Sequence, residues 1–362
     1  MAGLKYLVWM CTRAEEGRYT YSLGSGRVSP DELNTDEAKR MLDMATDFGA
    51  EYLFITGGEP FLRKDIFELI EYASALGLKL YIKTNGWAIS DKREIARNLA
   101  SHNCKVIISI AGLEEVDDML RGGKAYKRSI DAALACSEQG ILYSLSVINT
   151  KYVVHKINEL VNLAVELGSK GFSLACLIPQ PICAHEQRTK LVPLEPSPAE
   201  HERELNEIYL LSKELKDKIT LTPYDIFYNR IRQTREPNLV LSNRCCLRTD
   251  LEENDWLEVQ DDGKAYVCGP LSLAFGDVRK DSFDTIMSRI RESEVVRKLA
   301  DPTNLKGKCG ICEFNIICGG CRASAYIYSD DMFAEDPHCP YKPKGEQSAK
   351  TWVLRNNLAS LI

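Results

Sequence analysis

Tyr52-Leu-Phe-Ile-Thr-Gly-Gly-Glu-Pro60 joins a short apolar run to a turn that contains two glycines. The run Tyr52–Thr56 has the length and composition of a buried strand. Gly57 and Gly58 allow the backbone to approach a ligand closely, and Pro60 fixes the direction in which the chain leaves. Because the sites of α/β barrels lie at the carboxyl ends of strands, this turn is a candidate binding site, with an ordinary turn as the alternative.

Apolar runs alternate with amphipathic segments on both sides of this turn. Strands that alternate with helices imply right-handed crossovers and a parallel sheet, so the sequence predicts an open or closed α/β barrel. Further helices are predicted over residues 91–101, 125–139, 156–168 and 197–217. The six predicted strands are Tyr6–Cys11, Tyr52–Thr56, Leu78–Ile82, Val106–Ile110, Leu142–Val147 and Gly171–Leu177.

The first two helices carry signals at both ends. Asn34-Thr-Asp-Glu37 and Asp65-Ile-Phe-Glu68 each place a capping side chain three residues before a glutamate. Gly49 and Gly77 then predict the positions at which these helices end.

Composition sets the size of the protein and the kind of partner it can have. The chain has 362 residues, 44% of them hydrophobic, which is enough for one large core and one smaller core. A net charge of −6 without runs of Lys or Arg argues against nucleic acid or an anionic membrane as the main partner. No segment reaches membrane-spanning length or has a signal-peptide pattern, so we expect a cytoplasmic protein.

Cysteines concentrate near the end of the chain, at Cys309-Gly-Ile-Cys312-Glu-Phe-Asn-Ile-Ile-Cys318-Gly-Gly-Cys321 and Cys339. The chain has 13 cysteines, an odd number that fits metal ligation in a reducing compartment better than a set of disulfides. The spacing predicts a metal site, with four buried structural cysteines as the alternative. Zinc and iron–sulfur clusters both use four thiolates, so the spacing leaves the metal open.

Polar residues also follow two other predicted strands. Ser109 lies at the end of the fourth strand, and Lys83-Thr84-Asn85-Gly86 lies at the end of the third. In a parallel barrel these ends share one face with the glycine turn. Each residue could equally serve to cap its own loop.

Together these motifs resemble the radical S-adenosylmethionine superfamily with a C-terminal SPASM domain. The resemblance rests on Gly57 to Pro60, Thr84-Asn85-Gly86, Val106 to Gly112, Leu120-Arg121-Gly122 and the terminal cysteines. It covers nearly the whole chain and implies a partial (β/α)6 TIM-like barrel over residues 1–235, a SPASM domain over 236–345 and a helix over 346–362. Cys318 to Ala325 and Ala334 to Tyr341 look most like the maturases of alternative haem and haem d1 synthesis, and peptide-modifying maturases share much of this domain.

The resemblance also implies roles for individual residues. Gly57, Gly58 and Glu59 would hold the amino group of S-adenosylmethionine, and Asn85 and Ser109 are further candidates for this cofactor. One 4Fe-4S cluster would be held by Cys309, Cys312, Cys318 and Cys339. A second cluster would draw on Cys246 (or Cys245), Cys268 and Cys321.

One departure from the family bears directly on function. Members carry C-x3-C-x2-C after the first strand, and these three thiolates hold the cluster that cleaves S-adenosylmethionine. Here the aligned positions are Glu15, Tyr19 and Ser22, while Cys11 is predicted to lie within the strand. Oxygen ligands bind a 4Fe-4S centre poorly. A second departure follows the fourth strand, where the family's Asp-Gly is Ala111-Gly112 in this sequence.

These observations leave three hypotheses. The first is a cluster-carrying protein without radical chemistry, which acts as a binding or electron-transfer partner in a cofactor or peptide maturation pathway, beside a redox or maturase protein. The second is an active S-adenosylmethionine-dependent enzyme that modifies a tetrapyrrole or peptide, with Glu15 or Tyr19 as a ligand or acid–base group. The third is a zinc scaffold. Cys176, Cys183 and His185 form a weaker candidate metal site, with a structural role as the alternative.

Overall fold

A computed structural model of the protein describes residues 4–16, 28–178, 191–241, 245 and 256–345. Several predictions lie outside these ranges: the C-terminal helix over 346–362, the barrel-mouth positions Tyr19 and Ser22, and the candidate ligands Cys183, His185 and Cys246. Within the described ranges, no helix combines the length and apolarity needed to cross a membrane.

Seven parallel strands lie side by side in the order in which they occur along the chain. This order confirms the predicted parallel sheet of an open barrel, because each crossover moves the chain one strand further in the same direction. The strands are β1 (Tyr6–Thr12), β2 (Tyr52–Gly57), β3 (Lys79–Thr84), β4 (Lys105–Ile110), β5 (Leu142–Ile148), β6 (Gly171–Ala175) and β7 (Thr220–Tyr224).

Helices connect these strands and cover one face of the sheet. Along β1, Leu7, Trp9 and Cys11 alternate toward that face and are fully buried. The connecting helices are α1 (Thr35–Asp47), α2 (Ile66–Ala75), α3 (Trp87–Asp91), α4 (Glu94–Ser101), α5 (Glu114–Arg121), α6 (Ala125–Glu138), α7 (Ile157–Glu166) and α8 (Pro198–Glu214).

The C-terminal part begins by extending the same sheet. Strand β8 (Trp256–Val259) pairs in parallel with β1, and β9 (Lys264–Tyr266) pairs with β8 in an antiparallel hairpin. Strand β10 (Ala274–Asp277) pairs with β9 at the edge. The remaining helices are α9 (Phe227–Arg235), α10 (Phe283–Glu292), α11 (Glu294–Ala300), α12 (Gly307–Gly310) and α13 (Arg322–Ser329).

Local differences from the sequence predictions have physical causes. Asp65 does not cap α2, because its carboxylate accepts hydrogen bonds from Thr35 and Arg63 instead. Strand β7 contains a proline and was not predicted; it pairs only with β6 and lies last in the strand order, where a proline is tolerated. The helix predicted over 91–101 corresponds to α4, and the short α3 before it was not predicted.

Candidate functional site

The glycine turn after β2 packs directly on the segment that follows β1. The Gly58 amide donates to the Thr12 carbonyl and the Glu59 amide donates to the Ala14 carbonyl, each at 2.8 Å. A Cβ at Gly57 would lie 2.4 Å from Thr12 O, and one at Gly58 would lie 2.1 Å from Ala14 O. Close backbone contact therefore requires glycine at both positions. The same contact fixes the position of the segment in which the family carries its first thiols.

Glu59 is buried and ties this turn to the end of β3. Its carboxylate accepts hydrogen bonds from Thr84 Oγ1 and the Asn85 amide, both at 2.8 Å, and from the Phe61 amide at 3.2 Å. Burial raises the pKa of Glu59 to about 7, although these hydrogen bonds oppose the shift. Gly57, Gly58, Glu59 and Asn85 thus lie together at the carboxyl ends of β2 and β3.

Ser109 lies further along the same end of the sheet, on β4. Its carbonyl accepts a hydrogen bond from Arg121, which also forms a buried ion pair with Asp117 at 3.1 Å. Asp117 in turn accepts from the Ala111 amide at 2.5 Å, so α5 fixes the turn that follows β4. Arg121 belongs to the family-like motif Leu120-Arg121-Gly122, whereas α5 and its ion pair carry no signal that predicted them.

The described segment after β1, residues 13–16, offers no thiol to a catalytic 4Fe-4S cluster. Cys11 lies within β1 with no exposed surface, and burial raises its pKa, so it remains a neutral core thiol. Glu15 offers only carboxylate oxygen, which does not match the thiolates such a cluster requires. Of the three aligned positions, the one that the structure describes therefore does not fit the family's radical-generating cluster.

Four C-terminal thiols line one small cavity. Cys309 lies on α12, Cys318 precedes the Gly319-Gly320 pair, and both are 5% exposed. Space around the sulfurs depends on that pair, because a Cβ at Gly320 would lie 3.1 Å from Cys309 Sγ. The cavity is lined by Cys309, Cys312, Cys318, Cys339, Phe227, Arg230, Lys308, Gly319, Gly320, Tyr341 and Pro343.

Burial raises the pKa of these four thiols, and nearby cations and amides oppose part of that shift. Burial raises the pKa of Cys339 to about 11, and the positive charges of Arg230 and Lys308 oppose that shift. Arg322 Nη2 lies 3.8 Å from Cys309 Sγ, and the Phe314 amide donates to Cys312 Sγ at 3.5 Å. Cations and amides directed at the sulfurs are the groups that stabilise cluster-bound thiolates.

The arrangement of donor side chains bears on the kind of metal centre that this cavity could hold. Among the residues that the structure describes, no three His, Cys, Asp or Glu side chains converge closely enough for a single metal ion. Four thiols around one cavity are a donor set that both tetrahedral zinc and a 4Fe-4S cluster use.

A second, larger cavity of about 300 Å³ lies between the carboxyl ends of β5 to β7 and the C-terminal loops. Cys268 and Cys321, two of the predicted ligands of a second cluster, line it together with Cys245. Cys176, which directly follows β6, lines the same cavity.

A buried hydrogen-bond network lies behind this second cavity. Cys176 Sγ donates to Asp225 Oδ2 at 3.0 Å, and the same oxygen lies 2.6 Å from His201 Nε2. Burial alone would lower the pKa of His201, but the adjacent Asp225 and Glu204 raise it to about 10. The imidazole is therefore protonated at neutral pH and neutralises the Asp225 carboxylate.

Sequence reasoning had grouped Cys176 with Cys183 and His185, two residues outside the described ranges. The structure places Cys176 against Cys245, Cys268 and Cys321 instead. The signal available in the sequence was its position directly after a strand, where barrel sites occur. Its convergence with residues far along the chain could not be read from spacing.

Comparisons with known proteins identify the family to which the chain belongs. The Radical SAM superfamily matches residues 9–164. An AdoMet-dependent heme synthase of Methanosarcina barkeri is 31% identical over 325 residues, covering 87% of this chain and 90% of that protein. A PqqA peptide cyclase of Bradyrhizobium diazoefficiens is 25% identical over 87% of this chain and 80% of its own length.

A solved structure shares the fold. Streptococcus suis SuiB superposes with a TM-score of 0.71 at 18% identity, over 94% of this chain and 78% of that chain. The heme synthase match and the fold match each cover more of the chain than the superfamily match does. Membership implies a 4Fe-4S cluster and S-adenosylmethionine as the family's cofactors. The chain belongs to the radical S-adenosylmethionine superfamily, and its relatives act in the maturation of haem and peptide-derived cofactors.

Proposed function

We propose that this chain is an iron–sulfur protein of a cofactor-maturation pathway that has lost the radical-generating cluster of its family. It carries a 4Fe-4S cluster on Cys309, Cys312, Cys318 and Cys339 and acts as a binding or electron-transfer partner. The observation that carries the proposal is the contrast between two sites: four thiols line the C-terminal cavity, whereas the first barrel-mouth position holds Glu15.

The contrast has a direct chemical meaning. Cluster affinity and potential depend on thiolate ligands, and the C-terminal site supplies four of them beside Arg230, Lys308 and Arg322. At the barrel mouth, the thiol nearest along the chain is Cys11, which faces the core. Electron transfer needs a cluster but no S-adenosylmethionine cleavage, so this division of sites supports a redox or binding role.

The proposed pathway follows from the similarity to named relatives. The heme synthase of Methanosarcina barkeri matches most of this chain at 31% identity, and the peptide cyclase matches at 25%. We therefore favour a tetrapyrrole-modifying pathway over a peptide-modifying one. In this proposal, residues 1–235 form the barrel that binds the substrate or partner, and residues 236–345 form the SPASM domain that carries the metal.

A second candidate function is an active S-adenosylmethionine-dependent enzyme with a non-standard cluster arrangement. The observation that favours it is the intact glycine turn: Gly57, Gly58 and the buried Glu59 keep the arrangement expected for holding the cofactor's amino group. In this version Glu15 is a ligand or an acid–base group at the barrel mouth. Loss of S-adenosylmethionine binding in Glu59→Gln, measured by calorimetry, would support a retained cofactor site.

Iron and acid-labile sulfide counts test the principal proposal. After anaerobic purification and reconstitution, Cys309→Ala should contain about four fewer irons per chain than the wild-type protein, because one ligand of the cluster is gone. Cys104→Ala is the matched control, since Cys104 is a fully buried thiol of the barrel core. An iron count that is the same in Cys309→Ala and the wild type would refute the assignment.

A further inference from the structure

The cysteines in the described part of the chain fall into three groups. Eleven are described, and Cys11, Cys104 and Cys136 have no exposed surface in the barrel core. Four line the smaller C-terminal cavity. The remaining four are only partly buried and line the larger cavity: Cys176, Cys245, Cys268 and Cys321. Two cavities with four thiols each match, in the number of ligands, the donor sets of two 4Fe-4S clusters.

Cys176 is the member of the second group that no motif assigns. It directly follows the last residue of β6. Its sulfur interacts electrostatically with Cys321, and Cys321 interacts in the same way with Cys245. Its Sγ lies 3.0 Å from the Tyr224 carbonyl and from Asp225 Oδ2, groups at the end of β7 that hold the sulfur at the cavity wall. The thiol therefore has a fixed position beside the other three.

We propose that Cys176 is a ligand of a second 4Fe-4S cluster, together with Cys245, Cys268 and Cys321. This inference rests on the proposed function, because it adds a cluster to the same iron–sulfur protein. The barrel then supplies one ligand from β6, and the C-terminal region supplies the other three. The second cluster joins the two parts of the chain at the carboxyl ends of the barrel strands.

Two carboxylates, Asp225 and Asp336, line this cavity and raise the pKa of Cys176, so cluster binding requires that their charge be offset. Cluster binding deprotonates the ligating thiols and releases their protons. Asp225, the closest carboxylate to Cys176, is paired with His201 at 2.6 Å, so its negative charge is already balanced. Arg322 also lines the cavity and is fully buried, which places a positive charge between the two thiol groups.

The position also has a consequence for electron transfer. The second cavity is lined by Asn149, Cys176 and Tyr224, which follow or end strands β5, β6 and β7. A cluster held there lies at the carboxyl ends of β5 to β7. The segment after β1, where the family carries its first thiols, lies several strands away in the sheet order. This second cluster would connect a substrate bound in the barrel with the cluster on Cys309.

Iron and sulfide counts on the anaerobically reconstituted full-length chain test this proposal. The wild-type protein should contain about eight irons, and Cys176→Ala should fall to about four, with a matching loss of the electron paramagnetic resonance signal of one reduced cluster. Cys136→Ala, which removes a core thiol, should retain the wild-type count. An unchanged iron count and unchanged spin integration in Cys176→Ala would overturn the proposal.

A second measurement avoids any substitution. Iodoacetamide should label Cys176 of the wild-type chain only after the iron has been removed with a chelator, as mass spectrometry of peptides would show. Equal labelling before and after chelation would overturn the ligand assignment. A wild-type count of about four irons that Cys309→Ala abolishes and Cys176→Ala leaves intact would refute this inference while the proposed function stands.

Discussion

Glu59 joins two strand ends of the barrel through a single buried carboxylate. Its oxygens accept hydrogen bonds from the end of β3, while its own amide donates to the segment after β1. The side chain is only 1% exposed, and burial raises its pKa to about 7. A carboxylate in this position therefore couples the geometry of the candidate cofactor site to pH.

The first prediction concerns the pH dependence of stability at Glu59. In the unfolded chain the carboxyl ionises near its ordinary value of 4.5, whereas in the folded protein it ionises near 7. Between these values the folded state binds more protons, so its stability falls as pH rises. The free energy of unfolding of the wild type, minus that of Glu59→Gln, should decrease by about 2 kcal/mol between pH 5 and pH 7.5.

Chemical denaturation at a series of pH values measures this difference. Glu68→Gln is the matched control for the substitution itself, because the Glu68 side chain is 57% exposed. A flat difference between the wild type and Glu59→Gln over this range would show that the buried carboxyl does not titrate as inferred.

Individual site residues differ in how far the sequence could predict them. Cys309 and Cys312 are close in the chain, so their spacing alone predicts a shared metal site. Cys176 and Cys321 are 145 positions apart (321 − 176), and only the pairing of β6 with its neighbours brings them to one cavity. Ligands contributed by distant strands depend on topology, which spacing does not contain.

Helix α1 begins with a reciprocal cap. The Asn34 side chain accepts from the Glu37 amide at 3.0 Å, and the Glu37 carboxylate accepts from the Asn34 amide at 2.9 Å. Glu37 also pairs with Arg279 of the C-terminal part at 2.9 Å. The start of α1 therefore contributes to both the barrel and its contact with the region around β10.

Removal of this cap should have a measurable cost. Asn34→Ala should lower the free energy of unfolding by about 1 kcal/mol, because the Glu37 amide loses its acceptor in the first turn. Asn98→Ala, on the exposed face of α4, is the control and should change stability by less than about 0.5 kcal/mol. Equal effects of the two substitutions in urea titrations would contradict the capping role.

The sequence predicted elements with strong periodicity and missed those without it. The six predicted strands and the Asn34 cap agree with the structure to within a few residues. Strand β7 was missed because its five residues include Pro223, and α5 was missed because its eight residues are largely acidic. Whether such a short segment forms a strand or a helix depends less on its own composition than on the elements it packs against.

On the scale of the whole molecule, one sheet connects the barrel with the cysteine-rich part. Strand β8 pairs with β1, so the C-terminal chain extends the barrel at the edge next to the degenerate thiol positions. Arg13, in the segment after β1, forms an ion pair with the buried Asp261 at 2.6 Å beyond β8. Periodicity cannot predict which strand a hairpin joins, so this continuity was not foreseen.

The thiols that line the two cavities and the segment after β1 lie in different parts of the molecule. The segment after β1 offers Glu15 and packs against the glycine turn. Under the proposed function, the fold of a radical S-adenosylmethionine enzyme carries its metal-binding capacity away from the position where the family cleaves this cofactor.

Formation of 5′-deoxyadenosine tests this central claim most directly. The reconstituted protein is incubated anaerobically with S-adenosylmethionine and dithionite, beside the AdoMet-dependent heme synthase of Methanosarcina barkeri as a positive control. We predict that chromatography detects no 5′-deoxyadenosine above the protein-free background, because Glu15 and its neighbours cannot hold the cluster that delivers the electron. Production of 5′-deoxyadenosine by the pure wild-type chain would contradict the account.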